Sequence, residues 1–390
     1  MLANLPAATA DPLFGLVSRF HADPRPDKID MVIGVYRDET GQTPVLPSVQ
    51  RAEQEMAQAA TTKTYRTPRG NDDFNAHMAE LLLGQGAELN RQATIQTVGG
   101  TGALRLLAEL ISVANPSATV WSTTPGYVNH EPLMRAAGLN FATYRWTMVA
   151  GALDMQAVFD DLAAAQQGDV VIIHGCCHNP TGIDLPLAAW QELSEFCLRR
   201  GIVPLIDMAY QGFGRGLGQD AEGLRMMARA HPDLLVAASC SKNMSLYRER
   251  TGAAMVLAET SGDLAKARNC LEHKARASYS MPPEHGAAIA ARLLAAPEPW
   301  IAEVDRMRDR VRNLRQSLCD GFASKGLPPG FQNMRNQLGM FSLLPLSAAQ
   351  MERLRAEFGV YGLDNGRINI AGLQDRHVAY LAEAVAAVVT

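Results

Sequence analysis

The sequence predicts an α/β fold whose larger part is a mostly parallel sheet lying between helices. Short apolar runs recur along the chain, amphipathic stretches of helical period separate several of them, and no internal repeat or low-complexity block breaks the alternation. In chain order the strand candidates are Thr94–Val98, Thr119–Ser122, Phe141–Tyr144, Asp169–His174, Val203–Asp207, Leu234–Ala238 and Ala253–Leu257. A strand covered by helices on both faces is apolar along its length instead of alternating, and these runs have that character. Helical patterns fall between them at Ala103–Val113, Leu187–Arg200 and Asp220–Ala230.

The pattern changes after Pro299. Pro299–Lys325 reads as one long helix, with Ile301, Val304, Met307, Val311, Leu314 and Leu318 on one face and arginines on the other. Short strands at Gly339–Leu343 and Arg367–Ile370 bracket a helix at Ala348–Phe358, and Asp375–Val389 forms a last helix. This describes a second, smaller α/β unit. Met31–Val35 is expected to join it as a strand, because the sequence before Pro44 lacks the pattern of the larger unit. The expected division is residues 1–43 as an N-terminal arm and the first part of the small domain, 44–309 as the large domain and 310–390 as the rest of the small one.

Composition sets the outer limits. The 390 residues are 47% apolar and 19% charged, and the mean hydropathy of −0.08 describes a compact soluble chain. A net charge of −4 argues against a non-specific nucleic-acid or membrane-surface binder. No apolar run approaches the length of a transmembrane helix. The first twenty residues hold no basic residue before Arg19 and are broken by Pro6, Asp11 and Pro12, unlike a secretory signal. The six cysteines, at 176, 177, 197, 240, 270 and 319, are scattered, so reduced thiols in a cytoplasm are expected.

Four segments can carry chemistry. Gly99-Gly100-Thr101-Gly102 follows an apolar strand and opens a helix, where close backbone approach and free N–H groups favour an anion. It lacks the third glycine of a dinucleotide fingerprint and the Lys-Ser/Thr of a P-loop, and taken alone it reads as a tight strand-to-helix turn. His174-Gly-Cys-Cys-His-Asn-Pro-Thr-Gly182 ends a second strand. Its cysteines and histidines invite a zinc reading, but adjacent cysteines on an extended chain point to opposite faces and no CxxC or HxxxH spacing is present, so no metal is expected. Asn179-Pro180 is a turn signal with a plausible cis bond. Asn179 serves either that turn or a cleft at the carboxyl edge of the sheet.

Asp207 closes a third apolar run, followed by Tyr210. A carboxylate there either caps the next turn or meets a positive partner, since desolvation penalises its charged form. The fourth segment, Leu234 to Asn243, is the most informative. Lys242 is one of only six lysines and directly follows an apolar strand, with Ser239 and Ser241 just before it. Desolvation would lower its pKa and make it an amine able to form a Schiff base. Arg250, eight residues on, could hold a phosphate together with the two serines. Lysine, hydroxyls, arginine, a glycine-rich helix start and a sheet-edge aspartate together describe a site for pyridoxal 5′-phosphate.

At this point the sequence resembles the class I aspartate and aromatic-amino-acid aminotransferases, with their type I fold for pyridoxal-phosphate transferases. The resemblance runs from Ile33-Gly34-Val35-Tyr36 to Gly366-Arg367-Ile368-Asn369-Ile370-Ala371-Gly372, and HGCCHNPTG, AYQGF and SCSKN with RERTG match in order and spacing. It implies that Lys242 carries the cofactor and moves the Cα proton, that Asp207 pairs with the pyridinium nitrogen, and that His130 stands behind Asp207. Asn179 and Tyr210 would donate to the phenolic oxygen. Gly100, Thr101, Ser239, Ser241 and Arg250 would hold the phosphate, joined by Tyr65 of a neighbouring subunit. Arg367 would clamp the substrate α-carboxylate, helped by Asn179 and the backbone at Gly34, and Arg276 of the partner subunit would meet a side-chain carboxylate.

Three positions depart from the aspartate-enzyme pattern. Tyr127 stands where the family usually carries a tryptophan stacked on the cofactor ring, Met281 where the aspartate enzymes usually have asparagine, and the loop after Tyr65 reads Arg-Thr-Pro-Arg-Gly70. Tyrosine can still stack, and Met281 makes the pocket rim more apolar and adaptable. The resemblance thus implies a cytoplasmic homodimer with shared active sites, exchanging amino groups between aromatic or dicarboxylic L-amino acids and 2-oxoglutarate, with no nucleic-acid or membrane partner. A narrow aspartate aminotransferase is the alternative. A non-catalytic cofactor-binding module is disfavoured by Lys242, Asp207 and both arginines and by the lack of a spare segment, and a lyase or decarboxylase by the arginine pair.

Overall fold

The computed structural model describes residues 2, 12–149 and 151–389, so residues 1 and 3–11 of the expected N-terminal arm lie outside the described residues. The chain divides into two compact units. The larger comprises residues 44–310 and 337–339, and the smaller comprises 1–43, 311–336 and 340–390. Among the described residues no helix is long and apolar enough to cross a membrane.

A seven-stranded sheet forms the larger unit. Its strands are β1 (Gln92–Val98), β2 (Thr119–Thr124), β3 (Asn140–Arg145), β4 (Val170–His174), β5 (Val203–Met208), β6 (Leu234–Ser239) and β7 (Thr251–Leu257). They lie in the order β1-β7-β6-β5-β4-β2-β3. Neighbours from β6 to β3 pair in parallel, and β7 alone runs antiparallel to both its neighbours. Every residue of β4, β6 and β7 is buried, which is why these runs carry no polar alternation. The helix Gly99–Ala114 covers one face by setting Leu104, Leu107 and Ile111 against Ile172, Leu205, Ala237 and Ala254. It begins at Gly99, four residues earlier than the apolar periodicity indicates.

In the smaller unit β8 (Phe341–Leu343) pairs antiparallel with β9 (Arg367–Asn369). The expected strand at Met31–Val35 is not formed. The strand is instead the two residues Ile29–Asp30, paired in parallel with Val360–Tyr361. Downstream, the backbone acceptors are taken by side chains: the carbonyl of Val32 accepts from Arg367, and those of Ile33 and Val35 accept from the Asn369 amide. A segment whose carbonyls are used this way has no ladder left to extend. The second expected strand also stops one residue early, since Ile370–Gly372 turns into a single 3₁₀ turn.

Asp169 ties the edge of the sheet together. It is buried at the entrance to β4, and its carboxylate accepts from the Thr119 and Gln166 N–H groups at 2.8 and 2.9 Å and from the Trp121 indole at 3.0 Å. Stranding buried donors costs about 1–3 kcal/mol each, with incomplete additivity. Asp169→Ala is therefore expected to lower stability by roughly 2–4 kcal/mol in chemical denaturation, and Asp169→Asn, which keeps one acceptor oxygen, by less. A midpoint for Asp169→Ala equal to that of the parent would show that these bonds do not hold the edge.

Candidate active site

The parallel strands β4, β5 and β6 end side by side, at His174, Met208 and Ser239, and His174 is the register partner of Asp207. The carboxyl edge of an open parallel sheet is where its ligands bind. Asp207 is 6% exposed there. Its Oδ2 lies 3.0 Å from His130 Nε2, and His130 Nδ1 lies 2.9 Å from the Ser122 hydroxyl. Burial works to raise the Asp207 pKa, yet the His130 hydrogen bond, helped by the nearby Lys242 ammonium, outweighs it and holds the carboxyl below its ordinary range. His174, buried beside this pair, is pushed down to about 3 by desolvation and by its His130 neighbour, and is neutral.

Lys242 sits on the turn after β6, and that turn is pinned on its far side. The Asn243 carbonyl accepts from the Trp300 indole at 2.8 Å, and the Asn243 amide donates to the Gln211 carbonyl at 3.0 Å. The Lys242 ammonium lies 4.7 Å from the centre of the Tyr210 ring, and the Tyr210 hydroxyl accepts from the Asn179 amide at 3.2 Å. The Asn179–Pro180 bond is cis. Burial lowers the Lys242 pKa to about 8, Arg250 pushes the same way and Asp207 opposes. The result is an amine with an appreciable neutral fraction near neutral pH, which an exposed lysine lacks.

A few residues away lies a group of donors that could hold an anion. Arg250 donates to the Ser241 hydroxyl at 3.4 Å and to the Tyr247 carbonyl at 2.9 Å. Gly252 on β7 leaves no room for a side chain. A Cβ there would come within 2.8 Å of the backbone of Gly99, Gly100 and Ala238, and a Cβ on Gly100 would meet Ser239 at 3.0 Å. These contacts bring the start of the Gly99–Ala114 helix directly against Ser239 and Arg250. Its first N–H groups and the guanidinium then face the same place. Tyr127 is half-buried, edge-on to His130, with its hydroxyl at Thr101 and Asn129 and its pKa raised by burial and by Asp207.

The smaller unit carries its own cationic feature. The Arg367 guanidinium lies 4.8 Å from the centre of the Phe341 ring and donates to the Val32 carbonyl at 2.6 Å. Phe341 also presses on Gly34, where a Cβ would fall 2.6 Å from the ring. The remaining two expected residues lie on the surface. Tyr65 is 89% exposed, and Arg276 is exposed in the last turn of the helix Ser261–Tyr279. Met281 lies against the Tyr65 loop, its sulfur accepting from the Arg66 N–H at 3.2 Å.

One premise of the sequence reading fails. Cys177 has φ +53°, so Cys176 and Cys177 are not on an extended chain, and their thiols turn to the same side instead of opposite faces. Three residues of the site carried no sequence signal of their own. Ser122 is an unremarkable strand residue, Trp300 sits 58 positions after Lys242, and Gly252 is one small residue in an apolar run.

The sequence matches the family Aminotransferase class I and II over residues 26–385, and the chain belongs to that family. It is 45% identical to an aspartate aminotransferase of Salmonella typhi over the whole of both chains. It is 42% identical to an aromatic-amino-acid aminotransferase of Paracoccus denitrificans, with 99% of each chain covered. Among solved structures, that of an aromatic-amino-acid aminotransferase from Burkholderia pseudomallei covalently bound to pyridoxal phosphate matches with a TM-score of 0.97, 36% identity and complete coverage of both chains. The fold is therefore the type I fold of the pyridoxal-phosphate aminotransferases.

In the cofactor-free protein, Lys242 is expected to react with an amine-directed reagent with a midpoint near pH 8 rather than near 10.5. Because Asp207 holds the ammonium and Arg250 repels it, Asp207→Asn should move the midpoint down and Arg250→Met should move it up. Peptide-resolved labelling across a pH series measures all three. A wild-type midpoint at that of an exposed lysine would contradict the description.

Proposed function

We propose that this protein is a pyridoxal 5′-phosphate-dependent aminotransferase acting on aromatic and dicarboxylic L-amino acids, with 2-oxoglutarate as amino acceptor. The observation that carries the reading is the conjunction, in one unit, of a lysine whose pKa is lowered to about 8 and a buried carboxyl kept below its ordinary range. The donor set suits the cofactor. Arg250, Ser239, Ser241, Gly100 and Thr101 suit a dianionic phosphate at a helix start. Asp207 suits a protonated ring nitrogen, and Tyr210 with Asn179 suits a phenolic oxygen. Tyr127 offers a ring for stacking. When bound, pyridoxal 5′-phosphate supplies an acceptor for the electron pair left as the substrate Cα–H bond breaks.

The chain's own groups do the rest. Lys242, neutral above about pH 8, takes the proton from Cα and returns it on the other side of the exchange. Asp207, oriented by His130 and Ser122, keeps its negative charge opposite the ring nitrogen through both halves. Arg367, its guanidinium already supported by Phe341, pairs with the substrate α-carboxylate, with Asn179 and the Gly34 backbone assisting. Tyr65 and Arg276, exposed in the single chain, act in the site of a second copy. Tyr65 joins the phosphate cradle there and Arg276 meets a distal carboxylate, so the working form is a homodimer with shared sites. All six cysteines are free thiols, which suits a reducing compartment, and the cytoplasm is the proposed location.

Both relatives' activities fit one pocket if Arg276 pairs with an acidic side chain and gives way to a ring packed against Met281. Lys242→Ala should lower turnover by about 10²–10⁴-fold or more, the usual worth of a general base. Arg276→Ala should lower kcat/KM for aspartate by about 10–100-fold in its half-reaction, given roughly 1.5–3 kcal/mol for a charged hydrogen bond. Phenylalanine should lose far less in its own half-reaction. Equal losses for both donors would overturn the shared-pocket reading, and a wild type without phenylalanine or tyrosine turnover would reduce the protein to a narrow aspartate enzyme.

A further inference from the structure

We infer that the cavity between the helices Gly99–Ala114 and Ser261–Tyr279, at the amino edge of the large sheet, binds a small organic cation with an apolar body. The cavity has a volume of about 440 Å³, within the roughly 300–1,000 Å³ usual for small-molecule sites. Leu235 and Val256 of the sheet form its floor, Leu110 and Val113 one wall, and Ala267 and Cys270 the other. The two helices close on each other farther along, where Leu271 and Ala275 are buried in one cluster with Leu104 and Leu107. At the cavity itself the short side chains of Ala267 and Cys270 leave the gap open. Val113, 58% exposed, extends the apolar surface to the rim. The cavity also borders Val170 and Val203, the first residues of β4 and β5. It is thus a strand's length, roughly 13 Å, from the end of the sheet that carries Asp207.

The mouth is acidic, and that fixes the sign of the occupant. Asp233 and Asp263 both line it. Asp263 is already engaged, by Lys266 at 2.9 Å and the Thr260 hydroxyl at 2.7 Å, so Asp233 is the group that meets a ligand. Its pKa is raised chiefly by desolvation, with Asp263 and Glu259 adding to the rise against the Glu259 N–H and Arg91. Arg91 is the weakest of these influences, its guanidinium donating to the carbonyls of Ala228, His231 and Pro232. A bound ammonium offsets this crowding of carboxylates, while its apolar body replaces water against Leu235 and Val256. Amino acids and 2-oxo acids all carry a carboxylate that the same mouth repels. The occupant is therefore an amine or quaternary ammonium without one, and not a transamination substrate at a second address. Cys270 reports occupancy, since it is the one cysteine of the six that is not fully buried.

The test uses the holoenzyme and (2-naphthylmethyl)trimethylammonium, a cation that cannot condense with an aldehyde. With roughly fifteen non-hydrogen atoms it is expected to bind with a dissociation constant of about 0.1–1 mM in ligand-detected NMR. Alkylation of Cys270 by iodoacetamide, followed by peptide mapping, should slow over the same concentrations. The anion 2-naphthylacetate should bind at least about tenfold more weakly than the cation. Asp233→Asn should weaken the cation by about 3–10-fold and leave the neutral 2-naphthylmethanol unchanged. Ala267→Trp, which fills the gap between the helices, should abolish binding while turnover is kept. No slowing of Cys270 alkylation up to about 5 mM cation, equal binding of 2-naphthylacetate, or an Ala267→Trp protein that binds as the parent does would each overturn the assignment. Should Ala267→Trp fold poorly, Asp233→Asn decides: a loss confined to the cation supports the site, and equal losses or none for both probes refute it.

Discussion

Desolvation acting alone would protonate Asp207, which is 6% exposed at the end of a strand covered on both faces. Its carboxyl nevertheless lies below the ordinary range, because His130 reaches it at 3.0 Å and Ser122 fixes the far side of that imidazole. The cost of a buried anion is thus offset by a short relay drawn from two neighbouring elements, β2 and the helix that follows it. Lys242 depends on the same anion. Burial pushes the ammonium toward neutrality while Asp207 pulls it back, and the balance near pH 8 leaves the amine usable as a base without leaving it permanently neutral.

The group of donors around Arg250 obeys a different constraint, that of backbone approach. Gly252 lets β7 touch the first residues of the Gly99–Ala114 helix, and Gly100 lets that helix touch Ser239. Without both glycines the helix start and Arg250 could not face one point. The antiparallel β7 has a purpose here: it returns Arg250 and Gly252 to the carboxyl edge, beside the end of β6, where a parallel strand would have placed its other end.

Much of this was legible in the sequence because it rests on local pattern. Continuous apolar runs marked the buried strands, and Lys242 stood out as a rare lysine at a strand end. Features that depend on packing were not legible. The helix Ser261–Tyr279 buries only Leu271 and Ala275 completely, too narrow a face to announce itself by periodicity. The helix Pro47–Ala59 buries Ser48, Val49 and Ala52, small residues with little apolar signal. Met31–Val35 has the composition of a strand, and only the reach of Arg367 and Asn369, more than 300 positions away, removes it from any ladder. The same holds for Cys177, whose left-handed backbone no residue-type pattern foretold.

The account rests on Lys242 being the amine that this architecture prepares. The most direct measurement is borohydride reduction of the protein loaded with pyridoxal 5′-phosphate, followed by proteolysis and mapping of the pyridoxyl label. The proposed site predicts the label on Lys242 at about one per chain, and on none of the other five lysines in stoichiometric amount. Stoichiometric label on any other lysine, or a protein that binds the cofactor and yields no labelled peptide, would contradict it.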